Sequence, residues 1–291
     1  VNYLLKHPGY QEKWGTPKYG GILKLTGPSA PTSFSATSTG NFGAFIDGKG
    51  FHQNTLLRYD PWLEHGAGVV CDLCESYEIS ADGKIISFKL RQGIKFQSEG
   101  WGKDKGAPGF GAELACKDVK ASMEWYKSPH QSATASVKAA GKRLWGHLEE
   151  VTCPDGPQGY TGALRFTKFR NDTLGNLAFG YAIWNKEYRE WMDAAYPGIG
   201  DTAREEAYLS IMGTGAFIPV SANVDTVLVS RKNPNYWIEG APFVDGIEFY
   251  PILDYNTKFA AWVTGRVHSL GHGSSGMTKA QVSQTQKSYP D

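Results

Sequence analysis

The run VLVSRKNPNYWIEG, Val227 to Gly240, decides how the rest of this chain is read. Apolar and polar residues alternate through TVLVS (Thr226–Ser230) and again through VDGIEFYPIL (Val244–Leu253). Two strands are therefore expected, with Arg231–Gly240 as the connection between them. Within that connection Pro234 fixes φ, and the short side chains of Asn233 and Asn235 can bond local backbone, which suits a turn. The turn also carries a Tyr236–Trp237 pair, an unusual cargo for a simple connection.

Toward the C-terminus, DYNTKFAAWVTGRV (Asp254–Val267) has helical spacing, with Phe259, Ala260, Trp262 and Val263 expected to face the core and Gly265 close to the end. A last amphipathic helix is expected from Thr278. Toward the N-terminus, EEAYLSIMGTGAFIPVS leads into a strand, and LGNLAFGYAIWNKEYREWMDAAYPG (Leu174–Gly198) ends in a helix stopped by Pro197–Gly198. LEEVTCPDGPQGYTGALRFTKF (Leu148–Phe169) reads as a hairpin. So, more clearly, does SYEISADGKIISFKLRQGIKF (Ser76–Phe96), where Gly83 supplies the positive φ of the turn. CKDVKASMEWYKS places Val119, Met123 and Trp125/Tyr126 near helical spacing, with Pro129 just beyond. NTLLRYDP (Asn54–Pro61) reads as a helix end or an extended segment. GGILKLTG (Gly20–Gly27) is a first strand, followed by PSAPTSFSATSTGNFG, a segment with almost nothing that could form a core. Strands alternating with helices argue α/β or α+β, and no repeat period is visible.

The 291 residues fit two domains on a prior of roughly 150 residues each. A formal net charge of +1 provides no general attraction to nucleic acid or anionic membrane, and no nucleic-acid partner is expected. No apolar run reaches the roughly 18 residues a membrane span needs. The start VNYLLKHPGYQEKWG lacks an initiator Met and an apolar signal segment, so a mature or trimmed N-terminus is expected. Of the cysteines, Cys71 and Cys74 form a C-x-x-C pair while Cys116 and Cys153 stand alone. Zinc would want a second close pair, and thioredoxin-like redox chemistry would want the C-x-x-C to open a helix. Structural disulfides are the leading reading, with three connectivities open.

In series, GGILKL, LCESYEISADGKIISFKLRQGIKF, CKDVKASMEWY, GTGAFIPV (Gly213–Val220), VLVSRKNPNYW and FVDGIEFYPILDYNTKFAAWVTGRV (Phe243–Val267) make a chain that resembles the extracytoplasmic solute-binding proteins of ABC transporters, specifically the peptide-, dipeptide- and nickel-binding family 5. The resemblance implies an α/β, periplasmic binding protein-like fold of type II with an extra subdomain, mainly its first lobe being present. Lobe I would comprise 1–45 and 163–267, an inserted subdomain 46–162, and the hinge crossing with the start of a truncated lobe II 268–291. The implied function is capture of a small solute, an oligopeptide or dipeptide first, and its delivery to the membrane permease of an ABC importer. The competing expectation is a secreted structural protein of an envelope assembly that reuses the lobe. No enzyme activity, cofactor or metal is implied. The place implied is periplasmic or extracellular, with an N-terminal lipid anchor as an option and the missing C-terminal lobe as a separate fragment among the partners. In the family the asparagine-proline-aromatic segment is a structural corner, so Tyr236 and Trp237 are expected to pack rather than touch ligand.

Ligand contacts are expected at strand ends facing an inter-lobe cleft. Ser33, Phe34, Ser35 and Thr37 offer an aromatic face and neutral hydroxyls, against the plainer reading of a surface loop. Gly215 and Phe217 stand in GTGAF, where glycine lets backbone approach closely or merely serves the turn. Trp184 and Asn185 follow an apolar run in AIWNKEY. His268 and His272 are four apart, but Gly271 and Gly273 argue for a loop that would not bring them to one face. No Gly-x-Ser-x-Gly or His-Glu-x-x-His motif is present, and neither GKGFH nor GTG has the setting of a phosphate loop.

Overall fold

The computed structural model describes residues 15–27, 50–60, 68–129, 135–179, 181–197, 199, 204–270 and 278–288. Its strands are β1 (Ile22–Gly27), β2 (Leu57–Tyr59), β3 (Val69–Cys71), β4 (Cys74–Ile79), β5 (Ile85–Leu90), β6 (Leu148–Thr152), β7 (Thr161–Phe166), β8 (Phe217–Asn223), β9 (Val227–Lys232) and β10 (Gly246–Pro251). The helices used below are α1 (Cys116–Lys127), α2 (Ala135–Trp145), α3 (Thr173–Ala178), α4 (Lys186–Ala195), α5 (Arg204–Leu209), α6 (Tyr255–Val263) and α7 (Lys279–Ser288).

Two four-stranded sheets organise these elements, in the orders β1-β10-β9-β8 and β4-β5-β7-β6, with β2 and β3 as a separate pair. In the first sheet β1 runs parallel to β10, while β9 is antiparallel to both β10 and β8. The ends of β1, β8 and β10 named first above therefore lie at one edge of that sheet. Between β1 and β10 the chain forms the second sheet, antiparallel throughout, and then returns through β8 and β9 to the first.

The hairpin around Asp82–Gly83 forms as its sequence predicts. Lys84 N donates to Asp82 Oδ1 at 3.1 Å, Ile85 N donates to Ser80 Oγ at 2.9 Å, and Gly83 sits at φ 69°. Strand alternation then buries Ile86, Phe88 and Leu90 on one face of β5. Helix α1 lays Val119, Met123 and Tyr126 on the same core, each buried to 1% exposure or less. Burying a side chain of that size contributes about 1.5–3 kcal/mol. Trp145 of α2, a helix the pattern reading passed over, fills the core beside Tyr181. β7 continues to Phe166, so the second sheet extends past the expected boundary at 162.

The cysteines pair as Cys71–Cys74 and Cys116–Cys153. The second bridge joins the first residue of α1 to the chain just beyond β6. α6 begins under an Asp254 cap, whose Oδ1 accepts from Thr257 N at 2.8 Å, and Gly265 follows it at φ 70°. The expected core face of α6 needs correction: Ala260 is exposed, Phe259, Trp262 and Val263 are half-buried, and Lys258 is the fully buried residue. Helical periodicity marks an apolar stripe without saying what covers it. Here Tyr255, Phe259 and Trp262 lie along the helix in contact with one another, at 6.1 and 6.0 Å between neighbouring centroids. Beyond α6 the chain returns beside β1, where His268 N donates to Lys24 O at 2.8 Å and Lys24 N donates to His268 Nδ1 at 3.1 Å. No helix among the described residues is long and apolar enough to cross a membrane.

Candidate functional site

Ser33, Phe34, Ser35 and Thr37 lie outside the described residues, as does His272. Gly27, the last described residue before the first four, ends β1 at the edge of the first sheet where β10 also ends and which His268 and Ser269 flank. Gly215 and Phe217 belong to the opposite edge, where β8 begins. The described end of β1 and the start of β8 thus lie at opposite ends of the sheet.

At its own edge Gly215 is required by a backbone-to-backbone approach. Its N–H donates to His52 O at 2.9 Å, and a Cβ on Gly215 would fall inside contact distance of the His52–Gln53 peptide. Asn233 Nδ2 donates to Gly215 O at 2.9 Å, so the Asn233 corner is locked onto this turn. Phe217 is buried, with its ring edge-on to Phe51. Trp184 is buried among Trp125 and Tyr126, and Asn185 is the N-cap of α4, its Oδ1 accepting from Tyr188 N at 2.9 Å. All four described candidates therefore touch protein in this structure, holding elements in place.

The junction between the sheets is polar and buried. Ser230 Oγ lies 2.7 Å from His52 Nε2 and 2.5 Å from Tyr208 OH, and all three residues are buried. A Ser–His contact invites a nucleophile reading, but a hydroxyl shut away from solvent braces the β9–α5 interface instead. Asp72, inside the Cys71–Cys74 ring, accepts from Asn54 Nδ2 at 3.1 Å and from Thr55 N at 3.2 Å. Burial pushes its carboxyl up to about 6, against the opposing pull of Arg58 and the hydrogen bonds from Asn54 and Thr55. Asn54 Oδ1 in turn accepts from Thr214 Oγ1 at 3.0 Å and from Trp237 Nε1 at 3.3 Å. The Trp237 indole, expected only to pack, is thus oriented by a hydrogen bond.

Trp237 also forms a wall of a hollow of about 470 Å³, with Glu75, Lys89, Arg91, Gln92, Gly93 and Ile94 around it. Arg91 lies over the Trp237 ring at 5.7 Å, and its Nε donates to Asp72 O at 2.9 Å. Lys89 pairs with Glu75 at 2.9 Å on the rim. Sequence reasoning missed this grouping because nothing local in LRQG or NPNYW signals that the two segments meet. Among the described residues no three His, Cys, Asp or Glu side chains converge as metal ligands.

The family model for the middle region of bacterial extracellular solute-binding proteins, family 5, matches residues 68–290. Di/tripeptide-binding protein 2 of Pseudomonas aeruginosa is 28% identical over 213 residues, covering 70% of this chain and 36% of that protein. The fold is similar to the periplasmic binding protein DppA of Helicobacter pylori, solved with the peptide STSA (TM-score 0.68, 20% identity, 86% of this chain and 46% of that one). It is similar too to the oligopeptide-binding protein AppA of Bacillus subtilis, solved with a nonapeptide (TM-score 0.66, 22% identity, 87% of this chain and 44% of that one). The chain spans about a third of the length of the curated relative and under half of each structure. The α/β architecture is similar to that of these periplasmic binding proteins, and the chain belongs to the family 5 bacterial extracellular solute-binding proteins.

Proposed function

We propose that this chain supplies the first lobe of a binding protein that captures a short peptide in an inter-lobe cleft outside the cytoplasmic membrane and delivers it to the permease of an ABC importer. The observation that carries the reading is the family match over residues 68–290, together with the similarity to a di/tripeptide-binding protein. Topology supports where the cleft would lie. In sheets with parallel strands ligands settle beyond the carboxyl ends, and β1 and β10 end at the edge from which the chain also leaves after α6. Ser33, Phe34, Ser35 and Thr37 follow that edge in sequence and are the proposed ligand contacts. Gly215, Phe217, Trp184 and Asn185 act by position, since their described contacts are to protein.

Micromolar capture corresponds to about −8 kcal/mol, more than one half-solvated cleft wall supplies. Titration calorimetry with di- and tripeptides on the protein as isolated from its source is expected to show binding, and on these 291 residues alone far weaker binding. Equal affinities would remove lobe closure from the mechanism. Absence of binding in the isolated protein would remove peptides as the ligand class.

A further inference from the structure

The hollow at Arg91 and Trp237 shares no residue with the proposed cleft contacts, and it is built like a receptor for a carboxylate. Arg91 is immobilised before any ligand arrives: its Nε is held by Asp72 O at 2.9 Å, and its guanidinium rests over the Trp237 ring. Among the described residues no hydrogen bond or ion pair ends on its Nη atoms, which leaves the fork that matches a carboxylate bidentately available toward the hollow. The indole is fixed as well, because Trp237 Nε1 donates to Asn54 Oδ1, and Asn54 is itself tied to buried Asp72. An oriented guanidinium beside an oriented aromatic face loses little freedom on binding, which is where affinity for a small ligand is usually lost. Lys89, paired with Glu75, leaves the ionised side chains of the lining at one positive charge in excess. A hollow of about 470 Å³ is within the size range of small-molecule sites, roughly 300–1,000 Å³.

We propose that this hollow is a second ligand site, distinct from the cleft, that takes a small carboxylate with an aromatic or apolar body. The carboxylate pairs with the Arg91 Nη atoms and the body lies against Trp237. The test is fluorine NMR on the protein as isolated, labelled with 5-fluorotryptophan, with the Trp237 resonance assigned by its absence in Trp237→Phe. The probes are N-acetylphenylalanine and its amide. The acid is expected to move the Trp237 resonance with a dissociation constant in the millimolar range or tighter, about −4 kcal/mol, and the amide to bind at least about tenfold more weakly. Arg91→Lys, which keeps the charge and loses the fork, is expected to erase most of that difference. No movement of the Trp237 resonance at about 10 mM acid, or equal response to acid and amide, overturns the proposal without any variant being needed. Failure of peptide capture in the cleft would leave this titration untouched, because its readout is on Trp237.

Discussion

The β4-β5-β7-β6 sheet and the β1-β10-β9-β8 sheet have the same number of strands and different means of staying folded. The former lies in the large core that runs from Leu56 to Met212, roofed by α1 and stapled by Cys116–Cys153. The latter has a smaller core, built from Ala207, Tyr208, Ile211, Val224, Leu228 and Phe249. It depends more on its junction with its neighbour, through Gly215, Asn233 and the His52–Ser230–Tyr208 chain. Charge is also handled differently. The stapled half and the junction bury carboxylates, Asp118 and Asp72, while the first sheet keeps Asp245 and Asp254 at the surface beside Lys232 and Thr257. One half carries the larger buried core and a disulfide, and the other a smaller core of its own among the described residues.

The largest expected effect separates the two disulfides. Cys116–Cys153 closes a loop with a sequence separation of 37, and loop-closure entropy assigns its loss about 4 kcal/mol; Cys71–Cys74, with a separation of 3, is assigned about 2 kcal/mol. Denaturant unfolding of Cys116→Ser/Cys153→Ser and Cys71→Ser/Cys74→Ser under oxidising conditions checks this. Equal losses would mean that native contacts around each bridge, not chain entropy, set its worth.

The next contrast pits two glycines against each other. A Cβ at Gly215 would collide with backbone at His52–Gln53, whereas at Gly162 of β7 it would meet the Phe88 ring and Cys116 Sγ, which are side chains. Gly215→Ala is expected to cost about 3 kcal/mol or more, and Gly162→Ala less, within the usual 1–3 kcal/mol of overpacking. A milder effect at Gly215 would show that the junction between the sheets yields, breaking the picture of the first sheet as braced from its neighbour.

The smallest effect is on pH. Burial raises the Asp118 carboxyl to about 6, although it accepts from Ala115 N and Lys186 N. A raised folded-state pKa means stability present in full at pH below 3.8 and lost as pH rises through about 6. Asp118→Asn is therefore expected to flatten the stability profile between about pH 4 and 6, by on the order of 2 kcal/mol across the window. His147 works against Asp118 there: burial and Arg170 lower its pKa, so its contribution is complete above about 6.5 and fades on acidification. It is common to both proteins and cancels in the comparison. In the first sheet Asp245 has the opposite sign. The Lys232 hydrogen bond lowers its pKa, so its contribution is present above 3.8 and lost below it. A profile unchanged by Asp118→Asn would place the burial cost elsewhere in α1.

Much of this was legible locally. The Asp82–Gly83 turn, the α1 stripe of Val119, Met123 and Tyr126, and the stop after α6 at Gly265 are each specified by residues within one or two turns of chain. α2 escaped notice in a segment of small and basic residues whose bulkiest apolar side chains, Leu144 and Trp145, come only in its last turn. Candidate site residues were less legible. Trp184 and Asn185 have the composition of a binding segment, but exposure is a property of the packed state, and in that state they are enclosed.

By itself the sequence determined the hairpins, the helix stripes, the Asn233–Pro234 corner and the family to which their order belongs, because each rests on short-range geometry or on motifs in series. Only the tertiary structure decided the cysteine pairing, the burial of Lys258 in place of its apolar neighbours, the placement of Gly215 at the opposite end of the sheet from Gly27, and the seating of Arg91 on Trp237. Those depend on which distant segments meet. The parallel pairing of β1 with β10 sets that for the chain as a whole, and no window of sequence contains both partners.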